Sequence, residues 1–263
     1  MAQPRVLVLR SPGTNCDLET VYAFERAGAV AERMHVRRVL ESPGQLAGYQ
    51  ILCVPGGFSY GDDIAAGRIL ANQLRHHLFD HLRSFHAEGK LILGICNGFQ
   101  VLLKSGLLLP VDPGGAIPAT LTWNTLGRFE DRWVPLVTAG EKSPFFAGID
   151  TMYLPVAHAE GRFVTRDARV FEQLATAGQL VLRYGARPPQ GVELEPRTAY
   201  PDNPNGSSGD VAGLCDASGR VCGLMPHPER YIDPTQHPRW TRQPARAAGD
   251  GLRVFQNAVS YFA

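Results

Sequence analysis

The stretch Leu91-Ile-Leu-Gly-Ile-Cys-Asn-Gly-Phe-Gln100 constrains this chain more than any other. Leu91, Ile92, Leu93 and Ile95 read as a strand buried on both faces, and an apolar helical pattern begins at Phe99. A strand that passes straight into a helix must turn sharply, and the turn here is Gly94-x-Cys96-x-Gly98, the cysteine form of a nucleophile elbow. Glycines at both offsets let the backbone turn and leave the central side chain at the tip. A thiol at a helix N-terminus feels a partial positive charge, which favours thiolate over thiol. Cys53, inside the apolar run Ile51 to Val54, reads instead as a core residue. The elbow marks Cys96 as a candidate nucleophile, and a base elsewhere in the chain has to complete it.

Strands alternate with helices around this elbow. Residues 5–9 read as a first strand, and the polar turn Ser11-Pro-Gly-Thr-Asn-Cys-Asp17 leads into a helix over residues 18–27, closed by Gly28. Further strands are expected over residues 31–36, 51–54 and 91–95. Leu70, Leu74, Leu78 and Leu82 recur every four residues, with Phe85 three further on, which gives a long helix one apolar stripe to lay on a sheet. The pattern predicts an α/β fold, a doubly wound and mostly parallel sheet with flanking helices. Ligands bind such sheets beyond the carboxyl ends of the strands, where the Pro12 to Asp17 turn, the Gly56-Gly57 turn and the Cys96 elbow would gather.

After Gly106 the character changes. Pro110, Pro113, Gly114 and Gly115 precede short strand-like runs at residues 119–122 and 133–137, which predict an antiparallel excursion in the second half. The chain rejoins a sheet at residues 211–214 and 221–224, a hairpin turning at Asp216-Ala-Ser-Gly219. Residues 252–262 read as a closing amphipathic helix, and the Pro- and Arg-rich residues 234–250 as a surface loop. With no repeat and no internal boundary, the 263 residues, 44% hydrophobic and 19% charged, are expected to form a single domain over 1–263.

The formal net charge of +1, with no basic stripe interleaved by aromatics, argues against a nucleic-acid partner. Lysine occurs only at Lys90, Lys104 and Lys142, an arginine bias that carries no functional meaning here. The opening Met-Ala-Gln-Pro-Arg and the short apolar run to Leu9 are too brief for a signal peptide, and nothing approaches a membrane span, so a cytoplasmic protein is expected. Five cysteines at irregular spacings fit reduced thiols, including Cys215 and Cys222, which face each other across the predicted hairpin.

The base is found in Met225-Pro-His-Pro-Glu-Arg230. Each proline pushes the residue before it towards an extended conformation, and residues two apart in an extended segment share a side. His227 and Glu229 then become neighbours, the base and orienter that a thiol nucleophile requires. An oxyanion hole needs backbone N–H groups, and the elbow offers that of Asn97. Gly57 in the Gly56-Gly57 turn can offer a second, although a Gly-Gly after a strand reads equally as a tight turn. His76, His77 and His81 include an i, i+4 pair that could hold a metal, but a polar helix face accounts for them and no metal site is expected. Neither phosphate-loop pattern occurs, which argues against nucleotide binding by this chain. The sequon Asn205-Gly-Ser207 has no meaning without secretion.

These residues resemble a known family. The Gly57 turn, the Cys96 elbow with Gln100 four residues on, and His227-x-Glu229 are similar to the class I triad glutamine amidotransferases. More narrowly, Pro12-Gly-Thr-Asn-Cys-Asp17, Gly56-Gly-Phe-Ser-Tyr-Gly-Asp62, Gly94-Ile-Cys-Asn-Gly-Phe-Gln100, Arg128-Phe-Glu130, Asn203-Pro-Asn-Gly-Ser207 and Met225-Pro-His-Pro-Glu-Arg230 resemble the glutaminase subunits of phosphoribosylformylglycinamidine synthases. The resemblance implies glutamine as substrate, Cys96 as nucleophile, His227 as proton donor to departing ammonia and Glu229 as its orienter. It implies an oxyanion hole at Gly57 and Asn97, and Gly56 and Gln100 beside the glutamine. It also implies a separate ATP-using synthetase subunit, with ATP and magnesium bound there and no cofactor in this chain, and often a small third subunit. The ammonia would convert formylglycinamide ribonucleotide to the amidine in purine synthesis.

Two blocks depart from the family pattern. Ala159 in His158-Ala-Glu-Gly161 stands where glycine is common, and Asn124-Thr-Leu-Gly127 lacks an expected serine; both blocks are expected to serve the partner interface more than the chemistry. Two rival readings are a thiol hydrolase with another acyl substrate, against which Gln100 and the subgroup blocks argue, and a docking subunit whose triad is silent.

Overall fold

The computed structural model describes residues 3–112, 115–139, 141–186 and 193–263, so Met1, Ala2, Pro113 and Gly114 of the stretches above lie outside it. The first half alternates as its sequence predicts: β1 (Arg5–Arg10), α1 (Asp17–Arg26), β2 (Val30–His35), α2 (Val36–Glu41), β3 (Ile51–Val54), α3 (Arg68–Gln73), α4 (Phe79–Ala87), β4 (Leu91–Ile95) and α5 (Asn97–Ser105). Val36, expected to end the second strand, instead opens α2, where the His35 side chain accepts the Arg37 N–H. The second half supplies β5 (Ala119–Thr122), β6 (Glu130–Thr138), β7 (Thr151–His158), β8 (Arg162–Thr165), α6 (Ala168–Thr176), β9 (Leu182–Tyr184), β10 (Val211–Cys215), β11 (Val221–Leu224) and α7 (Leu252–Ser260).

Nine strands form one sheet in the order β2-β1-β3-β4-β11-β10-β9-β6-β7. From β2 to β11 neighbours are parallel, and from β11 onward each pair is antiparallel, so β10 and β6 run against the other seven strands. The predicted antiparallel excursion is therefore an extension of the main sheet plus a separate β5-β8 pair. The hairpin turns at Asp216 to Gly219 and sets Cys215 opposite Cys222, both free and buried. The central strands β3 and β4 are buried along their whole lengths, as continuous apolar runs in a covered parallel sheet must be. Phe24 of α1 meets Phe255 of α7 edge to face at 4.9 Å, both wholly buried.

Between α3 and α4, Leu74–Leu78 form a π turn. Strict four-residue spacing drifts by about 40° per step on a helix of 3.6 residues per turn, so four leucines would wind away from the sheet. A π turn is wider by one residue and takes up that drift. Leu70, Leu74, Leu78, Leu82 and Phe85 accordingly all stay at most 3% exposed. The 234–250 stretch is largely exposed, as expected, but it is pinned by His237, which packs 4.7 Å from the Trp133 ring and 5.7 Å from Tyr231. No helix among the described residues is long and apolar enough to cross a membrane.

Candidate active site

Cys96 stands at the carboxyl end of β4, between β3 and β11, at the N-cap of α5. The sharp turn is made by the cysteine itself, at φ 50° and ψ −105°, a region that non-glycine residues enter at a cost of about 1–3 kcal/mol. This corrects the expectation that Gly94 and Gly98 supply the turn. Neither has positive φ, and both are glycine for lack of room: a Cβ on Gly98 would lie 1.7 Å from the Val54 carbonyl oxygen, and one on Gly94 2.7 Å from the Gly98 carbonyl carbon. The elbow is locked by the Cys96 N–H donating to the Leu224 carbonyl at 2.8 Å. Cys53 is wholly buried, as a core residue should be.

His227 follows β11, the strand next to β4, with Leu224 in register with Ile95. Its Nδ1 lies 2.7 Å from Glu229 Oε1, and both side chains are buried. The pairing predicted from sequence is present, but on a different backbone: Pro228–Arg230 form a 3-10 turn with proline at its first position, where its missing N–H costs nothing. His227 itself, at φ −105° and ψ 89°, is neither helical nor fully extended. Burial works against protonation of His227, but the Glu229 carboxylate, with the two neighbouring thiols Cys96 and Cys16, outweighs it and holds the imidazole well above its ordinary pKa. The Nε2 atom has no protein partner, so it is free for proton exchange.

Gly56 and Gly57 close the site from β3. A Cβ on Gly56 would lie 2.8 Å from His227 Cε1 and 3.5 Å from Cys96 Cβ, so the bare backbone passes directly between base and nucleophile. Gly57, at φ +136°, would drive a Cβ to 2.7 Å from the Asn15 nitrogen. The Pro12 to Asp17 turn is tied to it by a Thr14–Gly57 bridge, with Cys16 N–H donating to the Gly56 carbonyl at 3.3 Å and Phe58 N–H to the Gly13 carbonyl at 3.0 Å. Among the described residues, neither the Gly57 nor the Asn97 N–H has a protein acceptor, which suits both to an oxyanion.

The profile of the CobB/CobQ-like glutamine amidotransferase domain family matches residues 3–262. The chain belongs to this family. It is 46% identical over 263 residues to the phosphoribosylformylglycinamidine synthase subunit PurQ of Dehalococcoides mccartyi, across 99% of this chain and 98% of that protein. It is 40% identical over 270 residues to the subunit of the same name from Methanococcus maripaludis, covering 98% and 97% of the two. Among solved structures it is similar to a chain of PurLQS from Thermotoga maritima, with a TM-score of 0.74, 31% identity and complete coverage of both chains.

In this amidotransferase domain the remaining candidates form the wall behind the nucleophile. The Asn97 side chain accepts the Ser59 N–H at 3.2 Å and donates to Asp62 and to Gln100, each at 3.0 Å. It thereby holds the loop in which Tyr60 and Asp62 take positive φ. Gln100, expected beside the substrate, is buried with its oxygen on Asn97 and its nitrogen on the Glu160 carbonyl at 2.7 Å, so its visible work is to tie α5 to the 158–161 segment. The Glu160 carboxylate receives the Ala66 N–H. Burial raises the carboxyl of Asp62 above its usual range, against the hydrogen bonds from Gly67 and Asn97.

Asn124 shows why the 124–127 and 158–161 blocks go together. Its Nδ2 donates to the Arg128 and His158 carbonyls, both at 2.9 Å, and its Oδ1 meets the Gly161 N–H at 3.1 Å and His158 Nδ1 at 3.2 Å. Burial, with the charge of His227 beside it, pulls the His158 pKa down to about 3, so His158 is neutral. Ala159 is not at positive φ, so the alanine where glycine is common strains nothing. Gly161 is the position that admits no side chain, since a Cβ would lie 2.3 Å from the His158 ring. We expect Asn124→Ala, which orphans three buried polar groups of His158 and Gly161 and the Arg128 carbonyl, to lower unfolding free energy by about 2–4 kcal/mol; a urea midpoint within error of the parent would refute this.

His76, His77 and His81 are exposed and join no cluster of three potential ligands among the described residues. Asn205 and Ser207 are fully buried, hydrogen-bonded to each other. Sequence reasoning missed the place of Cys16, whose thiol lies beside His227 and accepts from Arg230 Nη2 at 3.2 Å. Its only signal was a cysteine in the turn after β1, at the ligand-binding end of the sheet.

Proposed function

We propose that this chain is the glutaminase subunit of a phosphoribosylformylglycinamidine synthase, releasing ammonia from glutamine for a synthetase partner. The observation that carries this reading is the Cys96 elbow meeting the His227–Glu229 pair across two neighbouring strands, in a chain whose relatives carry that subunit name. Cys96 sulfur attacks the side-chain amide carbon of glutamine, and the oxyanion that forms is held by the N–H groups of Gly57 and Asn97. The protonated His227, steadied by Glu229, gives its proton to the nitrogen as the C–N bond breaks and ammonia leaves. Water then adds to the thioester with His227 taking its proton, and glutamate departs as the sulfur is released. Gly56 leaves room for the substrate between nucleophile and base.

The ammonia passes to a synthetase subunit that binds ATP and magnesium and converts formylglycinamide ribonucleotide to the amidine, a step of purine synthesis. A small third subunit completes the assembly, as the solved PurLQS complex suggests. The protein works in the cytoplasm. The test is glutamate release by the purified chain with and without the synthetase and its ligands, beside Cys96→Ser. Release that needs Cys96 and rises with the partner is expected. No Cys96-dependent release in a competent complex would leave a docking subunit with a silent triad.

A further inference from the structure

The thiol of Cys16 has no part in the chemistry just described, yet it is buried against the catalytic base. Its sulfur, a ring nitrogen of His227 and a carboxylate oxygen of Glu229 lie within 4.8 Å of one another. Within this buried trio Glu229 Oε1 lies 2.7 Å from His227 Nδ1, while Glu229 Oε2 makes no hydrogen bond. Beside them runs the bare backbone of Gly56, where a Cβ would come within 2.8 Å of His227 Cε1 and 3.1 Å of Cys16 Sγ, and the sulfur itself donates to Asn15 Oδ1 at 3.2 Å. Sulfur, imidazole and carboxylate this close together are the donor set of a borderline-soft divalent cation.

We propose that Cys16, His227 and Glu229 form an inhibitory site for a thiophilic divalent cation, zinc foremost. Ligands about 2.0–2.3 Å from a tetrahedral zinc ion sit about 3.3–3.8 Å apart, so the trio closes on the ion by movements of about an ångström. On binding, Cys16 exchanges its S–H bond for an S–Zn bond and the proton goes to solvent. Arg230 Nη2, 3.2 Å from the sulfur, offers a hydrogen bond to the resulting thiolate. The fourth position faces water or Cys96, whose Cβ is 3.5 Å from the same point above Gly56. An ion between His227 Nδ1 and Glu229 replaces the hydrogen bond that orients the base, so the cation switches the site off while bound. This consequence rests on the glutaminase reading; the binding itself does not.

The test uses the full chain, stripped of metal. Zinc is titrated against a chromogenic chelator, and cobalt is added as a spectroscopic probe. One equivalent of zinc per chain is expected, with a thiolate-to-cobalt charge-transfer band. Loss of a ligand costs at least what loss of an outer-shell partner does, so Cys16→Ser should weaken zinc binding by about tenfold or more. X-ray absorption of the parent protein with zinc should show sulfur together with nitrogen or oxygen around the metal, a readout independent of any variant's folding. Unchanged affinity in Cys16→Ser, a cobalt band undiminished in that variant, as the Cys215–Cys222 pair would give, or a shell of nitrogen and oxygen alone would each overturn the proposal. Glutamate release by the metal-free parent, measured in parallel, separates failure of the metal site from failure of the glutaminase reading.

Discussion

Gly98→Ala should lower unfolding free energy by more than about 3 kcal/mol and abolish glutamate release, because its Cβ would make the closest approach to another atom among the described glycines. The added Cβ would lie 1.7 Å from the Val54 carbonyl oxygen, 2.6 Å from its carbon and 3.2 Å from the Pro55 oxygen, all backbone atoms. No rotamer change can relieve such a contact, so α5 and the end of β3 must separate. That movement carries Cys96 and the Gly56-Gly57 turn in opposite directions, and both are needed around one substrate carbon. The control is Gly44→Ala, a site with open space and no positive φ, where less than about 1 kcal/mol is expected. Urea midpoints and labelling of Cys96 by a glutamine-like electrophile read both effects. A Gly98→Ala protein as stable and as readily labelled as its Gly44→Ala counterpart would show that the elbow tolerates separation.

Glu229→Gln should reduce glutamate release by about a thousandfold or more, the scale on which the third member of a triad acts by fixing the ring of its histidine. The amide keeps the shape but not the charge, and its NH2 group offers a donor where His227 Nδ1 needs an acceptor. Stability should report the same loss with a definite pH dependence. His227 is more basic folded than unfolded, so its contribution is complete below the unfolded value of about 6.5 and fades as pH rises through the folded pKa. In Glu229→Gln the buried imidazolium has lost its counter-charge. The stability gap between parent and variant is therefore widest at mildly acid pH and narrows towards alkaline pH. Urea unfolding of both proteins across that range measures it, and a gap constant with pH would count against the ion pair.

What the sequence made legible follows from how local each signal is. Strands β3, β4, β5 and β11 fall on their expected residues because each is a short apolar or β-branched run bounded by turns. The catalytic cysteine and its base were legible because each carries its own punctuation, glycines in one case and prolines in the other. Strand β7, interrupted by Pro155, went unread, although Pro135 did not hide β6; a proline sits most readily in a strand at an edge. It does lie at an edge: among the described residues β7 closes the sheet and pairs only with β6, and Pro155 uses its carbonyl to receive the His227 N–H at 2.9 Å. The place of Cys16 beside His227, and the junction made by Asn124, depend on loops far apart in sequence that meet only once the sheet is assembled. The π turn lies between these cases, since the four-residue leucine spacing was visible but its demand for extra winding was not drawn from it.

The adjacency of β4 and β11 means that the length of chain between them does not set their separation. The strands that carry nucleophile and base are one inter-strand step of about 4.8 Å apart, whatever the connecting segment does on its way. Evolution and engineering can therefore lengthen, trim or splice that segment to suit a new partner, provided its strands still join the sheet. New termini cut into it, with the old ones joined, would keep the reactive pair together, held by a ladder of hydrogen bonds instead of by continuity of the chain.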